Sequence, residues 1–182
     1  MHRLFVALRP SPDIRRRLTE PMGGVPHARW QDDEQLHLTI RYIGEVDRPM
    51  AEDVALALGQ VHAASPRVAI NGVGAFDKKG RVDALWAGVT PHDDLARLHK
   101  KVDQALVRLG LAPEGRAYLP HITLARVPRT AGFGPAIERW IADHAAFSSE
   151  VFEFGHLTLY ESHLTGEGAR YEPVARWALD PG

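Results

Sequence analysis

The chain has 182 residues, 45% of them hydrophobic and 25% charged, which is the mix of a globular protein and leaves no stretch near the roughly 20 apolar residues of a membrane helix. Cysteine is absent, so disulfides, thiolate catalysis and cysteine-ligated metals are excluded, and the composition fits a reducing cytoplasm. A net charge of −1 argues against broad gripping of a long nucleic-acid backbone but not against holding one phosphate group.

In chain order, residues 3–8 alternate and read as a strand, stopped by Arg9-Pro10-Ser11-Pro12. Residues 12–21 read as a helix with Ser11 as N-cap and Pro12 at its first position. After the Gly23-Gly24-Val25-Pro26 loop, residues 28–30 suggest a short strand and residues 35–43 a longer one. Asp47-Arg48-Pro49 opens a helix whose apolar side is Val54, Leu56, Leu58 and Val61. Residues 67–76 and 81–89 form a hairpin around Asp77-Lys78-Lys79-Gly80. Thr90 is read as the cap of a helix over 91–109, with Leu95, Leu98, Val102, Leu106 and Leu109 as its stripe and Gly110 as its end. A strand over 121–127, a short helix over 134–144 and strands over 151–160 and 170–179 complete the chain. Strands joined by tight turns, without a strict βαβ rhythm, predict an α+β fold with antiparallel sheets.

One pattern recurs. His37-Leu38-Thr39-Ile40 and His121-Ile122-Thr123-Leu124 both read His, apolar, Thr, apolar, and the second follows the first by 84 residues. On a strand, His and Thr at i and i+2 share one face while the apolar residues point to the other. Two such strands related by a pseudo-two-fold axis place two imidazoles and two hydroxyls across a cleft. In-line attack on phosphorus needs a base on one side and an acid on the other, and histidine can serve as either near neutral pH. Threonine hydroxyls suit the non-bridging phosphate oxygens. The tripeptide alone decides little: with 10 His and a handful of Thr, chance supplies about 0.4, and the chain has a third at His156-Leu157-Thr158. The paired placement carries the argument.

These segments resemble the 2H phosphoesterase superfamily and, within it, the bacterial RNA 2′,3′-cyclic phosphodiesterase or 2′-5′ RNA ligase-like family. The likeness runs over nearly the whole chain. It rests on Arg3-Leu4-Phe5-Val6-Ala7, residues 36–46 around the first motif, Leu85-Trp86-Ala87-Gly88-Val89, Pro120-His121-Ile122-Thr123-Leu124-Ala125-Arg126, Leu159-Tyr160-Glu161-Ser162 and Tyr171-Glu172-Pro173. Tyr42 and Tyr118 stand where phenylalanine is common in the family, and His156 falls where the family has no catalytic role. The resemblance implies one domain over 1–182 of two intertwined lobes, with helices on the outer faces and a central cleft. It implies opening of an RNA 3′-terminal 2′,3′-cyclic phosphate to a 2′-phosphomonoester, with 2′-5′ ligation as a secondary reaction. It assigns His37 as proton donor and His121 as proton acceptor, roles that the symmetry of the motifs leaves open.

Four further residues enter the candidate site. Arg41, four residues after His37, falls on the catalytic face by parity and is a candidate phosphate ligand. Arg126 is another, on the strength of the resemblance, although five residues from His121 puts it on the wrong face of a regular strand. Tyr118 and Phe5 are candidates to stack on a base, with core packing as the competing reading for Phe5. No HxH, HExxH or clustered carboxylate–histidine set is present, so neither metal nor cofactor is expected. The expected partner is an RNA 3′ end, with no membrane, and nothing in the chain demands more than a monomer. Two other readings stay open: an RNA-end binding module without catalysis, and a phosphodiesterase of small cyclic nucleotides.

Overall fold

The computed structural model describes residues 1–181; Gly182, the last residue of the expected domain, lies outside the described residues. In chain order it comprises β1 (His2–Leu8), α1 (Pro12–Thr19), β2 (Arg29–Trp30), β3 (Leu38–Val46), α2 (Arg48–Leu58), β4 (Arg67–Lys78), β5 (Arg81–Thr90), α3 (Asp93–Val107), β6 (His121–Arg126), α4 (Pro135–Asp143), β7 (Phe152–Glu153), β8 (His156–Thr165) and β9 (Gly168–Ala178). The strands form one mixed-length sheet in the order β7-β4-β5-β6-β3-β1-β8-β9, with β2 on the free side of β6. Every pairing between these strands is antiparallel. The α+β architecture is therefore the expected one, with its two halves fused into a continuous sheet.

The sheet narrows at its middle. β3 and β6 pair only at Leu38 and Ile122, and the order of strands is mirrored about this bridge, β6-β5-β4 on one side and β3-β1-β8 on the other. Helices α2 and α3 lie against β1 and β3, and α4 lies against β4. The main core fills the layer between helices and sheet: Leu38, Ile40, Ile122 and Leu124 from the two motifs meet Leu95, Leu98, Val102 and Leu106 of α3 and Val54 and Leu58 of α2 there. A much smaller cluster of Phe5, Ala7 and Tyr160, with Tyr171 packed on it, lies apart from that core.

Local chemistry explains most boundaries. Ser11 Oγ accepts from the Ile14 N–H and Asp47 Oδ1 from the Met50 N–H, capping α1 and α2. Lys79 and Gly80 both take positive φ, +53° and +76°, the two-residue turn whose twist suits the β4–β5 hairpin. Four expectations shift. Thr90 remains in β5, so α3 starts later, after His92, and without a side-chain cap. Residues 33–35 form a 3₁₀ turn closed by a reciprocal Asp32–Gln35 capping box, which delays β3. The strand expected over 151–160 breaks around Phe154-Gly155 into β7 and β8. Leu56, assigned to the apolar side of its helix, is 72% exposed.

Candidate active site

The two motifs meet at the waist of the sheet. Leu38 opposite Ile122 in an antiparallel pair sets His37 across from Thr123 and Thr39 across from His121 when the register is continued one residue each way. The two motifs are thus brought side by side, with their histidines and threonines on the face away from the helices.

Both rings are held alike. His37 Nδ1 donates to the Gln35 carbonyl at 2.7 Å, and His121 Nδ1 donates to the Leu119 carbonyl at 2.7 Å. In each case the acceptor is two residues upstream. With the proton of a neutral ring fixed on Nδ1, each Nε2 lone pair is left for the cleft. The His37 Nε2 also lies 3.0 Å from Thr39 Oγ1, close enough to accept the threonine hydroxyl's hydrogen.

Aromatic rings wall each imidazole. Around His37 stand Phe5 at 5.0 Å between centroids, Tyr171 at 5.1 Å and Tyr160 at 6.4 Å. Around His121 stand Phe76 at 4.7 Å and Trp86 at 6.1 Å. Phe5 and Trp86 come from the strands flanking β3 and β6, so the mirrored sheet order repeats itself in the walls. Burial lowers the His37 pKa to about 4; the Gln35 hydrogen bond opposes this, and the charges of Arg126, His121 and Arg9 add to it. His121 is lowered too, first by burial and then by Arg126, against the Leu119 hydrogen bond.

A β-bulge just past each threonine decides which arginine reaches the cleft. Against β1, Ala7 pairs with Thr39 and Val6 with Arg41, leaving Ile40 extra. Against β5, Trp86 pairs with Thr123 and Leu85 with Ala125, leaving Leu124 extra. One extra residue flips the alternation of everything beyond it. The consequence is visible in burial: Ile40 and Arg41 are consecutive buried residues, at 1% and 6% exposure, and so are Leu124 and Ala125.

Arg41 is therefore turned away from the cleft, contrary to the parity argument. Its guanidinium points to α3, where Nε meets Asp103 Oδ1 at 2.8 Å, and it also donates to the carbonyls of Tyr42 and Ala112. Burial pushes the Asp103 carboxyl up, but hydrogen bonds from Arg41 and the Glu114 N–H, with the Arg41 charge, hold it below the usual carboxylate range. Arg126 goes the other way: the bulge at Leu124 returns it to the cleft face, where its charge is felt by His37, His121 and Tyr171.

Phe5 and Tyr118 are also placed differently from a base-stacking role. Phe5 is 4% exposed, and its ring is covered by Tyr160, Tyr171 and His37. Tyr118 stacks on His99 at 4.2 Å with the planes 7° apart, and its hydroxyl donates to the Thr39 carbonyl at 2.9 Å. Beyond Leu38, β3 has lost its partner on the β6 side, and side chains take over. Tyr118 caps the Thr39 carbonyl, His99 Nδ1 donates to the Ile40 carbonyl at 2.7 Å, and Arg41 donates to that of Tyr42. On β6 the corresponding edge is covered by backbone, with Gln31 N–H on the Leu124 carbonyl at 2.8 Å and β2 beyond.

Sequence reasoning passed over Tyr42 and Trp86 as site residues. Tyr42 pairs with Phe5 on the cleft face and is 48% exposed. A signal was present: Tyr42 and Arg126 are separated by the same 84 residues as the histidines. The third tripeptide, His156-Leu157-Thr158, lies on β8 with Thr158 buried opposite Ala7, away from the waist, and a fourth that sequence reasoning did not count, His163-Leu164-Thr165, ends the same strand. Among the described residues, no group of three or more His, Cys, Asp or Glu side chains is arranged to hold a metal ion, and no helix is long and apolar enough to cross a membrane.

Comparison with known proteins follows the same lines. The family model of the 2′-5′ RNA ligase superfamily matches residues 7–166. An RNA 2′,3′-cyclic phosphodiesterase of Aeropyrum pernix is 31% identical over 152 residues, 83% of this chain and 85% of that one. The protein of the same name from Escherichia coli is 28% identical over 186 residues, 97% of this chain and 96% of its own. Among solved structures, E. coli LigT complexed with 3′-AMP superposes with a TM-score of 0.76 at 25% identity, covering 98% of both chains. Motif, mirrored sheet and overall likeness agree: the chain belongs to the 2′-5′ RNA ligase superfamily, within the 2H phosphoesterases.

Proposed function

We propose that this protein is an RNA 2′,3′-cyclic phosphodiesterase that opens the cyclic phosphate at an RNA 3′ end to a 2′-phosphomonoester by two-histidine acid–base catalysis. The observation that carries the reading is the matched pair of histidines at the waist. Two imidazoles are each fixed through Nδ1 to a carbonyl two residues upstream, on motifs that pair with each other at Leu38 and Ile122. The curated relatives bearing that activity support the enzyme class.

In the proposed reaction His121 Nε2 takes a proton from water as its oxygen attacks phosphorus. The P–O3′ bond breaks in line, and the departing O3′ takes a proton from His37 Nε2. The phosphoryl group stays on O2′, and solvent resets both rings. Thr39, Thr123 and Arg126 hold the non-bridging oxygens, where charge grows in the transition state. In the empty cleft both imidazoles are held toward the neutral form, which suits the base but not the acid. A phosphate anion between them favours the protonated form of each, so substrate binding supplies the charge that His37 needs. With the 5′-hydroxyl of a second RNA in place of water, the same step would form a P–O5′ bond, release O3′ with a proton from His37, and join the two chains through a 2′-5′ diester.

The test is an oligonucleotide ending in a 2′,3′-cyclic phosphate, with the product identified by its phosphorus NMR shift and by a mass gain of one water. A 2′-phosphomonoester is expected, at a rate undiminished by a chelator. A 3′-phosphomonoester would reverse the assignment of leaving group, and chelator-sensitive turnover would sink the two-histidine mechanism.

A further inference from the structure

Beyond the wall of the His37 site lies a second cavity of about 530 Å³, on the same face of the sheet. Its lining includes Arg9, Arg15, Arg176, Thr158, His156 and Tyr160. The strand register explains the shared face: Tyr160 pairs with Phe5 and Thr158 with Ala7, and Arg176 pairs with Thr158 in turn. Tyr160 is the partition. Its ring stacks on Phe5 at 5.2 Å and stands 6.4 Å from the His37 ring, while its other side lines the cavity.

The cavity is cationic. Arg9 and Arg15 share one carboxylate, Asp33, at 3.3 and 2.9 Å, and the Glu153 at the rim is taken by Arg67 at 3.0 Å. Among the described residues Arg176 forms no ion pair. Tyr160 lines the cavity together with Arg9, Arg15 and Arg176; burial pushes its phenol up, while Arg9, the Thr158 hydrogen bond, Arg15 and Arg176 pull against it. Arg9 acts on His37 as well, so the cavity and the histidine site lie within one electrostatic field.

We infer that this cavity is a subsite for the phosphate on the 5′ oxygen of the terminal nucleotide, which in RNA is the internucleotide diester next to the cyclic phosphate. The inference rests on the function proposed above. The cyclic phosphate and the 5′ phosphate leave one ribose on opposite sides, and here two anion-accepting regions are separated by one aromatic ring. A ribose crossing the rim of this wall would reach both. Guanidinium forks bind phosphate oxygens in pairs, and a phenol hydroxyl adds a neutral donor. The His-x-Thr tripeptide at 156–158, silent in the reaction, thereby acquires a place: His156 and Thr158 line this subsite. The enzyme would favour RNA ends over cyclic mononucleotides with a free 5′ hydroxyl.

Three substrates separate the possibilities: a 2′,3′-cyclic mononucleotide with a free 5′ hydroxyl, the same compound with a 5′ phosphate, and a dinucleotide ending in the cyclic phosphate. For the wild type, kcat/KM is expected to be higher for the two that carry a 5′ phosphate. In Arg176→Gln the ratio of their kcat/KM to that of the 5′-hydroxyl compound falls about tenfold, chiefly through KM. Arg139→Gln, on an exposed face of α4, keeps the wild-type ratio. An unchanged ratio in Arg176→Gln, or equal losses on all three substrates, overturns the subsite. A loss confined to the 5′-phosphomonoester overturns its assignment to RNA. Equilibrium affinity for the dinucleotide is measured alongside turnover. A wild type that binds it through Arg176 but opens none of the three compounds defeats the proposed function and leaves the subsite standing.

Discussion

Phe76 meets His121 edge-on, with centroids 4.7 Å apart and ring planes at 89°, and behind this pair the indole of Trp86 lies flat across Gly74. A Cβ at Gly74 would come within 2.3 Å of two Trp86 ring carbons, a contact that only displacement of the indole relieves. Gly74→Ala is expected to cost about 1–3 kcal/mol in stability and to lower kcat about tenfold by tilting the wall behind His121. Urea titration and steady-state kinetics check both; a variant with wild-type midpoint and kcat would show that Trp86 does not position the ring.

Either catalytic histidine should be indispensable without being structural. His37→Ala and His121→Ala are expected to lose about 10²–10⁴ in kcat/KM while keeping the wild-type circular dichroism spectrum. Full activity in either variant contradicts the proposed roles.

The pH profile follows from the lowered pKa values. For kcat/KM, the acid limb reports protonation of the base and the alkaline limb deprotonation of the acid in the free enzyme. With His37 at about 4 and His121 below 6.5, the bell should centre below pH 6.5. The kcat profile should lie at higher pH, because bound phosphate raises both values. A kcat/KM optimum above 6.5 would contradict the burial of the two rings.

The same burial has a stability cost. Above the unfolded pKa of 6.5, His37 is neutral in both states and contributes nothing. As pH falls from 6.5 toward about 4, the unfolded chain takes up a proton that the folded one refuses, so stability declines by up to about 3 kcal/mol and then levels off. His37→Gln should shrink the difference in unfolding free energy between about pH 7.5 and pH 4.5. An unaltered difference would mean that His37 is not held neutral by the fold.

Arg41 and Asp103 should behave as a structural pair. Removing Asp103 leaves the buried Arg41 guanidinium without its partner, so Asp103→Ala should destabilise by about 3–5 kcal/mol; Arg41→Ala leaves a partly exposed carboxylate and should cost less, and the double variant should cost much less than the sum of the two. Additive losses, from a double-mutant cycle by chemical denaturation, would show that the two act independently.

Much of this was legible in the chain itself. The stripe Leu95, Leu98, Val102 and Leu106 follows the helical period and is buried in α3, and Lys79-Gly80 makes the hairpin turn its residue types suggest. The paired His and Thr residues needed only strand alternation to be aimed at one face. Alternation fails where a residue is inserted into one strand of a pair, and nothing about Ile40 or Leu124 as residue types announces a bulge. That is why Arg41 was misassigned and Arg126 looked unfavourable. The partners that hold β3 in place, Tyr118, His99 and Asp103, lie 59 to 79 positions away in sequence and obey no local period. The subsite around Arg176 is assembled from the segment after β1, α1, β7, β8 and β9, which only the sheet order brings together.

The single bridge between Leu38 and Ile122 joins the two halves of the sheet one residue away from His37 and His121. Points near a fulcrum travel least. If the halves rock about that bridge, the outer walls swing through a wide arc while the spacing of the reactive imidazoles scarcely alters. The bridge thus sits where any such rocking would alter the histidine spacing least.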